Sequence, residues 1–194
     1  MAPLADTLEA KKRRTRQDYP FHLEYRTRWS DNDMYGHLNN SIYAFLFDSI
    51  INTFLITYCG LDPYNRNTNN NDKNTPQPLS DLDSQSTQIG LVVSSYCDYF
   101  ASVSFPDVLD LGLRVTKLGS SSVTYEVGVF KCGEESVKAV GGFTHVFVER
   151  GTMRPEKRKG MDERIRRGLE RLLVVDDRGQ EQTMTLSNGK LSKL

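Results

Sequence analysis

The sequence predicts an α+β domain in which a curved antiparallel sheet is curled around one long central helix. Three observations lead there. The stretch from Ile42 to Tyr58 is apolar on most sides at helical spacing, so it is a helix wrapped by other structure. Four later segments alternate apolar and polar residues with period two and are parted by short turn-forming breaks, the pattern of antiparallel strands. One further alternating segment precedes the helix, giving the order strand, long helix, four strands.

The elements follow in order. Residues 1–19 read as a polar tail or frayed helix, with Lys11, Lys12, Arg13, Arg14 and Arg16 clustered. Phe21 to Trp29 alternates and reads as a half-buried strand, followed by turn formers from Ser30 to His37. Asn39 or Asn40, a favoured N-cap residue type, starts the long helix, and Gly60 with Pro63 beyond it ends it. Asp48, Ser49, Asn52 and Thr53 form its one narrow polar stripe. Residues 64–78 carry six Asn and two Pro without periodicity and read as a loop or insertion. Strands are expected over Thr87–Tyr99, Val108–Lys117, Ser122–Lys131 and Val137–Glu149, joined as hairpins or a meander. Met161 to Leu173 places Met161, Ile165, Leu169 and Leu172 on one face, a short amphipathic closing helix. The folded unit is therefore 20–175, and 176–194 is a second polar tail.

The 194 residues suit one domain with tails. Lys+Arg and Asp+Glu both number 25, so no global footprint for nucleic acid is expected, and no aromatics interleave the basic cluster. No apolar run approaches the ~20 residues of a membrane span, and the amino end lacks a stretch of signal-peptide length. Cys59, Cys97 and Cys132 are odd in number and far apart, which reads as free thiols in a reducing compartment.

Common catalytic signatures are missing: no GxSxG elbow, phosphate loop, HExxH or GxGxxG occurs. One segment stands out, running from Arg28 to Tyr43. It places Asp31 and Asp33 in a strand-to-helix turn just before a helix N-terminus, whose first N–H groups are unpaired and carry partial positive charge. A carboxylate and an N–H pocket a few residues apart suit hydrolysis of an activated acyl group. An ordinary Asp-rich capping turn fits the same residues.

Asp31, Asp33, Gly36, His37, Asn39, Asn40 and Tyr43 fill every defining position of D-x-D-x-x-G-H-x-N-N-x-x-Y. In this the chain resembles the hot-dog-fold acyl-CoA thioesterases of the 4-hydroxybenzoyl-CoA thioesterase family, over about residues 20–173. It is similar also to the D-x-D-x-N-Q-H-x-N-N stretch of plant acyl-ACP thioesterases, with Tyr35 where those enzymes have Asn. The 4-hydroxybenzoyl-CoA enzyme itself has Tyr where this chain has Asn40. The resemblance implies a hot-dog domain that hydrolyses an acyl-CoA, with Asp33 as general base or nucleophile. It further implies an oxyanion site at the Asn40 N–H and its neighbours, Gly36 closing the turn, and His37 polarising or orienting. Tyr43, Phe47 and Tyr96 are candidates for the acyl pocket. Arg150 and Arg154, with Lys157, Arg158 and Lys159, are candidates for the CoA phosphates at a neighbouring subunit's site. A homodimer or homotetramer is implied; a metal or cofactor is not. A non-catalytic acyl-CoA-binding or scaffolding hot-dog protein is the alternative; a dehydratase or hydratase of the same fold would need a second constellation that is not seen.

The chain closes on Ser192-Lys193-Leu194 in a polar tail. This tripeptide is an address read by the peroxisomal import receptor, so a peroxisomal matrix location is expected.

Overall fold

The computed structural model describes residues 7–62, 86–156 and 160–174. The Asn-rich stretch 64–78, Lys157 to Lys159 and the tail with Ser192-Lys193-Leu194 lie outside the described residues.

A short helix α1 (Leu8–Lys12) and a helical turn (Arg16–Asp18) lead into β1 (Phe21–Arg26); α2 (Asn40–Cys59) follows, then β2 (Gln88–Tyr99), β3 (Val108–Leu118), β4 (Ser122–Lys131), β5 (Val137–Glu149) and α3 (Glu163–Glu170). The five strands form one antiparallel sheet in the order β1-β3-β4-β5-β2. Register shifts in β2 between Val92 and Ser94, in β3 between Val115 and Lys117, and in β5 at Lys138, opposite Val129 and Phe130 of β4, bend this sheet. Its concave face takes α2, whose Leu46, Phe47, Ile50, Ile51, Phe54 and Leu55 are buried against Leu111, Leu113, Tyr125 and Phe147. The strands of the meander β3-β4-β5 pair as expected, but β2 does not pair with β3. It pairs with β5 at the far edge, and residues 100–107 carry the chain back across the end of the sheet.

No uninterrupted apolar run reaches the length of a membrane span, yet by length and a mean hydropathy of 1.5 the whole of α2 is long and apolar enough to cross a membrane, a property it shares with core helices. Eight of its residues, Leu46, Phe47, Ile50 and Ile51 among them, are buried against the sheet and α3, while Phe45, Ile56 and Tyr58 stay exposed. Gly60 caps the helix at φ +67°, its N–H bonded to the Leu55 carbonyl. Ile165 and Leu169 on α3, with Leu172 just beyond its end, close the open end of the core, and the Leu172 carbonyl accepts the Val115 N–H at 2.8 Å, beside the β3 irregularity.

Residues 7–19 differ from a solvated tail. Lys11 pairs with Asp98 (2.8 Å), Arg14 with Glu126 (3.0 Å) and Arg16 with Asp110 (3.0 Å). Tyr19 lies in a trough whose floor is Gly112 and Gly128, where any Cβ would collide with its ring. Lys11, Arg14 and Arg16 of the basic cluster are committed to carboxylates on the strands, a pairing that needs the sheet to exist first.

Candidate active site

β1 delivers the chain to the end of the sheet where residues 100–107 return. Thr27 ties the two together: its N–H donates to the Asp107 carbonyl at 3.1 Å, and its hydroxyl lies 2.8 and 3.1 Å from the carbonyls of Asp107 and Ser104. A helical turn, Trp29–Asp31, follows. Asp31 is 2 % exposed; one oxygen accepts the Tyr25 hydroxyl at 2.9 Å and the Arg28 N–H at 2.8 Å, and its carbonyl accepts the Asn39 N–H at 2.8 Å. Burial, with Asp31 acting in the same direction, raises the Tyr25 pKa and keeps the phenol a donor. Asp31 therefore straps strand, turn and helix start together. The paired carboxylates were visible in the sequence, but not that one is buried as a strut and the other presented.

Asp33 is the presented one. Its N–H donates to the His37 carbonyl (2.7 Å), its carbonyl accepts from Gly36 (3.2 Å), and its Oδ1 accepts from the N–H groups of Tyr35 (2.8 Å) and His37 (3.1 Å). Its Oδ2 has no partner among the described residues. Gly36 has φ +76° with nothing within 4 Å of its would-be Cβ, so the turn's backbone shape, not space, requires glycine. His37 is exposed and its imidazole has no partner among the described residues.

At the start of α2, Asn39 is the N-cap, accepting from the Ser41 N–H (3.0 Å) and hydroxyl (2.9 Å), while Ile42 donates to the Asn39 carbonyl (2.9 Å). Asn40 is left as the first helical N–H without an acceptor among the described residues. Its neighbours, included in the expected oxyanion site, are already bonded; the free donor narrows to Asn40. The turn thus offers an open carboxylate oxygen and an unbonded N–H at the positive end of a 20-residue helix.

Tyr43 and Phe47 stand on the buried face of α2: Tyr43 packs edge-on to Tyr99 (5.0 Å) and Phe47 to Phe143 (6.1 Å). Tyr96 is not with them. It shares the outer face of β2 with Asp98, and Lys11 lies over its ring at 4.2 Å. The irregularity after Val92 resets the alternation, so Cys97 and Tyr99 face α2 instead; Tyr99 is the aromatic that sequence reading missed. Burial pushes the Cys97 thiol up to about 11, which leaves it protonated and inert at neutral pH. Arg150 donates to the Asp62 carbonyl at 2.8 Å, and Arg154 accepts the Glu149 N–H through its carbonyl; both sit at the opposite end of α2 from Asp33. The structure does not bring them to the turn of the same chain. No group of three or more potential metal ligands converges among the described residues.

The thioesterase superfamily profile matches residues 35–138, more than half of the chain. The chain belongs to this superfamily. Thioester hydrolysis is the reaction class that membership brings. The match begins just beyond Asp33, so it carries the class and not that residue's role. The solved structure of the PA5185 protein from Pseudomonas aeruginosa is similar at 41% identity and TM-score 0.68, covering 82% of this chain and 95% of that one. A Thermus thermophilus thioesterase complexed with coenzyme A and Zn matches at 22% identity and TM-score 0.55, covering 80% and 96%. A 1,4-dihydroxy-2-naphthoyl-CoA thioesterase from Synechocystis matches at 13% identity and TM-score 0.60, covering 77% and 94%. These last two speak for the fold, which is the hot-dog arrangement of sheet around helix. The comparison with curated proteins finds no match.

Proposed function

We propose that this protein hydrolyses acyl-CoA thioesters to a carboxylic acid and free CoA, in the manner of the 4-hydroxybenzoyl-CoA thioesterase family, at the turn between β1 and α2. The observation that carries the reading is Asp33, one oxygen tied by two N–H groups and the other without a partner among the described residues, beside a helix whose first N–H, at Asn40, has no acceptor among them either. In one route the carboxylate takes a proton from water as the water oxygen attacks the thioester carbon. In the other it attacks directly, and water then cleaves the mixed anhydride. Either way negative charge gathers on the carbonyl oxygen, where the Asn40 N–H and the helix end stabilise it. In the first route the C–S bond then breaks and the proton held by Asp33 passes to the departing sulfur; in the second the C–S bond breaks as the anhydride forms, and the CoA thiolate takes its proton from solvent. His37 orients or polarises, Tyr43 and Phe47 border the acyl group, and Arg150 and Arg154 meet the CoA phosphates of a neighbouring subunit.

A second copy of the chain has a place to join. β2 is an edge strand, and Val92 and Val93 on it are 49% and 60% exposed, with Phe45 of α2 66% exposed. A homodimer or homotetramer would cover them. The Ser192-Lys193-Leu194 ending supports import into the peroxisomal matrix by its receptor; a tagged chain lacking these three residues is expected to stay in the cytosol.

The decisive experiment measures thiol release from short, long and aromatic acyl-CoAs by the wild type and Asp33→Asn. Asparagine keeps an oxygen for the Tyr35 and His37 N–H groups, so the fold survives, while kcat falls by at least about 10²-fold. Full activity in the variant removes Asp33 from the mechanism. No turnover of any acyl-CoA by the wild type assigns the protein to binding instead.

A further inference from the structure

A cavity of about 490 Å³ opens where α3 crosses the C-terminal end of α2, the end far from Asp33. Gly168 permits the crossing: any Cβ there would collide with the Cys59 sulfur. At helical spacing of three and four from Gly168, Arg164 and Arg171 fall on the same side of α3, where a helix packed on a neighbour ordinarily carries apolar residues. The Arg164 guanidinium lies across Gly60, and the Arg171 guanidinium carbon is 5.5 Å from the centre of the Tyr58 ring.

Arg164 and Arg171 are the cations of this lining that no carboxylate among the described residues engages. Of the carboxylates lining the cavity, Asp162 caps α3 by accepting the N–H groups of Arg164 (2.9 Å) and Ile165 (3.4 Å). Glu163 is engaged by Arg167 at 2.8 Å. Neither the Arg164 nor the Arg171 guanidinium makes a hydrogen bond or ion pair among the described residues, and the Tyr58 hydroxyl has no partner there either. The negative end of α2 draws both guanidinium groups close, yet they donate to none of its carbonyls.

We propose that this cavity binds an organic phosphate, a phosphate monoester carried on a small group of nucleotide size. Two guanidinium groups suit a dianion with several acceptor oxygens, which they hold through paired N–H donors. The space far exceeds a bare phosphate and falls within the range of small-molecule sites. The Tyr58 ring gives the organic part an apolar wall, with its hydroxyl as a further donor.

Calorimetric titration of the full chain with adenosine 3′,5′-bisphosphate, inorganic phosphate and adenosine tests this. The bisphosphate is expected to bind saturably below millimolar, with inorganic phosphate at least about tenfold weaker and adenosine silent. The double variant Arg164→Gln/Arg171→Gln, at an unchanged Tm, is expected to weaken bisphosphate binding by about tenfold or more through loss of charge-assisted contacts. If it fails to fold, the single variants Arg164→Lys and Arg171→Lys keep the charge and lose the fork, with a smaller but measurable weakening. Absence of saturable bisphosphate binding, undiminished binding in a folded variant, or inorganic phosphate binding equally well overturns the proposal. Adenosine 3′,5′-bisphosphate is also the nucleotide end of CoA, so Arg150→Gln/Arg154→Gln is titrated in parallel; binding lost in that variant and kept in Arg164→Gln/Arg171→Gln overturns the proposal, and because no probe carries a thioester neither outcome depends on Asp33.

Discussion

A single carboxylate oxygen holds the shape of the candidate active turn. Oδ1 of Asp33 gathers the N–H groups of Tyr35 and His37, and Gly36 between them adopts φ +76° to allow it. Gly36→Ala is expected to strain this position by about 1 kcal/mol, lowering Tm by a few degrees and kcat more than KM, read from thermal melts and steady-state kinetics. His145 makes a second residue-scale case. Its ring is 3% exposed among Tyr125, Phe143 and Phe147, neither nitrogen has a partner among the described residues, and burial lowers its pKa from 6.5 to about 4. Between these values the unfolded chain binds a proton that the fold excludes. Stability therefore falls as pH drops from 6.5 towards 4, at up to roughly 1 kcal/mol per unit, and this group has no effect above that window. His145→Phe is expected to flatten the Tm–pH slope there relative to wild type, and parallel slopes would remove His145 as the cause.

The amino-terminal arm is the element whose role sequence patterning describes least well. Glu126 on β4 is 2% exposed and lies 3.0 Å from Arg14, 2.9 Å from Arg114 and 3.0 Å from the Tyr19 hydroxyl. Removing the carboxylate by Glu126→Ala strands two guanidinium groups and is expected to cost about 3 kcal/mol in urea unfolding. Lys11→Ala, which breaks only the more exposed pair with Asp98, should cost less than about 1 kcal/mol. Equal losses would mean that the arm is held by its apolar contacts rather than by the buried cluster. Nothing in a run of Lys and Arg indicates which carboxylates will lie opposite, because those sit about 90 to 110 residues away.

At the scale of the whole molecule, β2 is an edge strand with Val92 and Val93 exposed. Val93→Lys places a charge on the sheet edge, where strands of two copies would pair. On the proposed assembly it shifts the protein to monomer in light scattering and reduces turnover, since the Arg150 end of one copy no longer serves its neighbour. A monomeric variant with full activity would show that one chain holds a complete site. The same edge explains a limit of sequence reading: β2 and β3 look like hairpin partners, yet β2 crosses to β5, and the returning segment is gripped by Thr27 and Leu38 beside the turn.

Local chemistry made much of this protein legible in its residues. Period two and period 3.6 located all five strands, α2 and α3, because burying one face of a strand or helix imposes that spacing. Asn39 and Gly60 marked the ends of α2 because cap geometry favours those residue types. The D-x-D-x-x-G-H-x-N-N segment located the turn because its hydrogen bonds join neighbours in the chain. Tertiary structure alone decided which carboxylate is buried, Asp31, and which is presented, Asp33. It also turned Tyr96 outward and Tyr99 inward through an irregularity in β2, docked the basic arm on the sheet, and left Arg164 and Arg171 without an ion pair among the described residues at the far end of α2. Each of these depends on contacts between residues far apart in sequence, which no local period encodes.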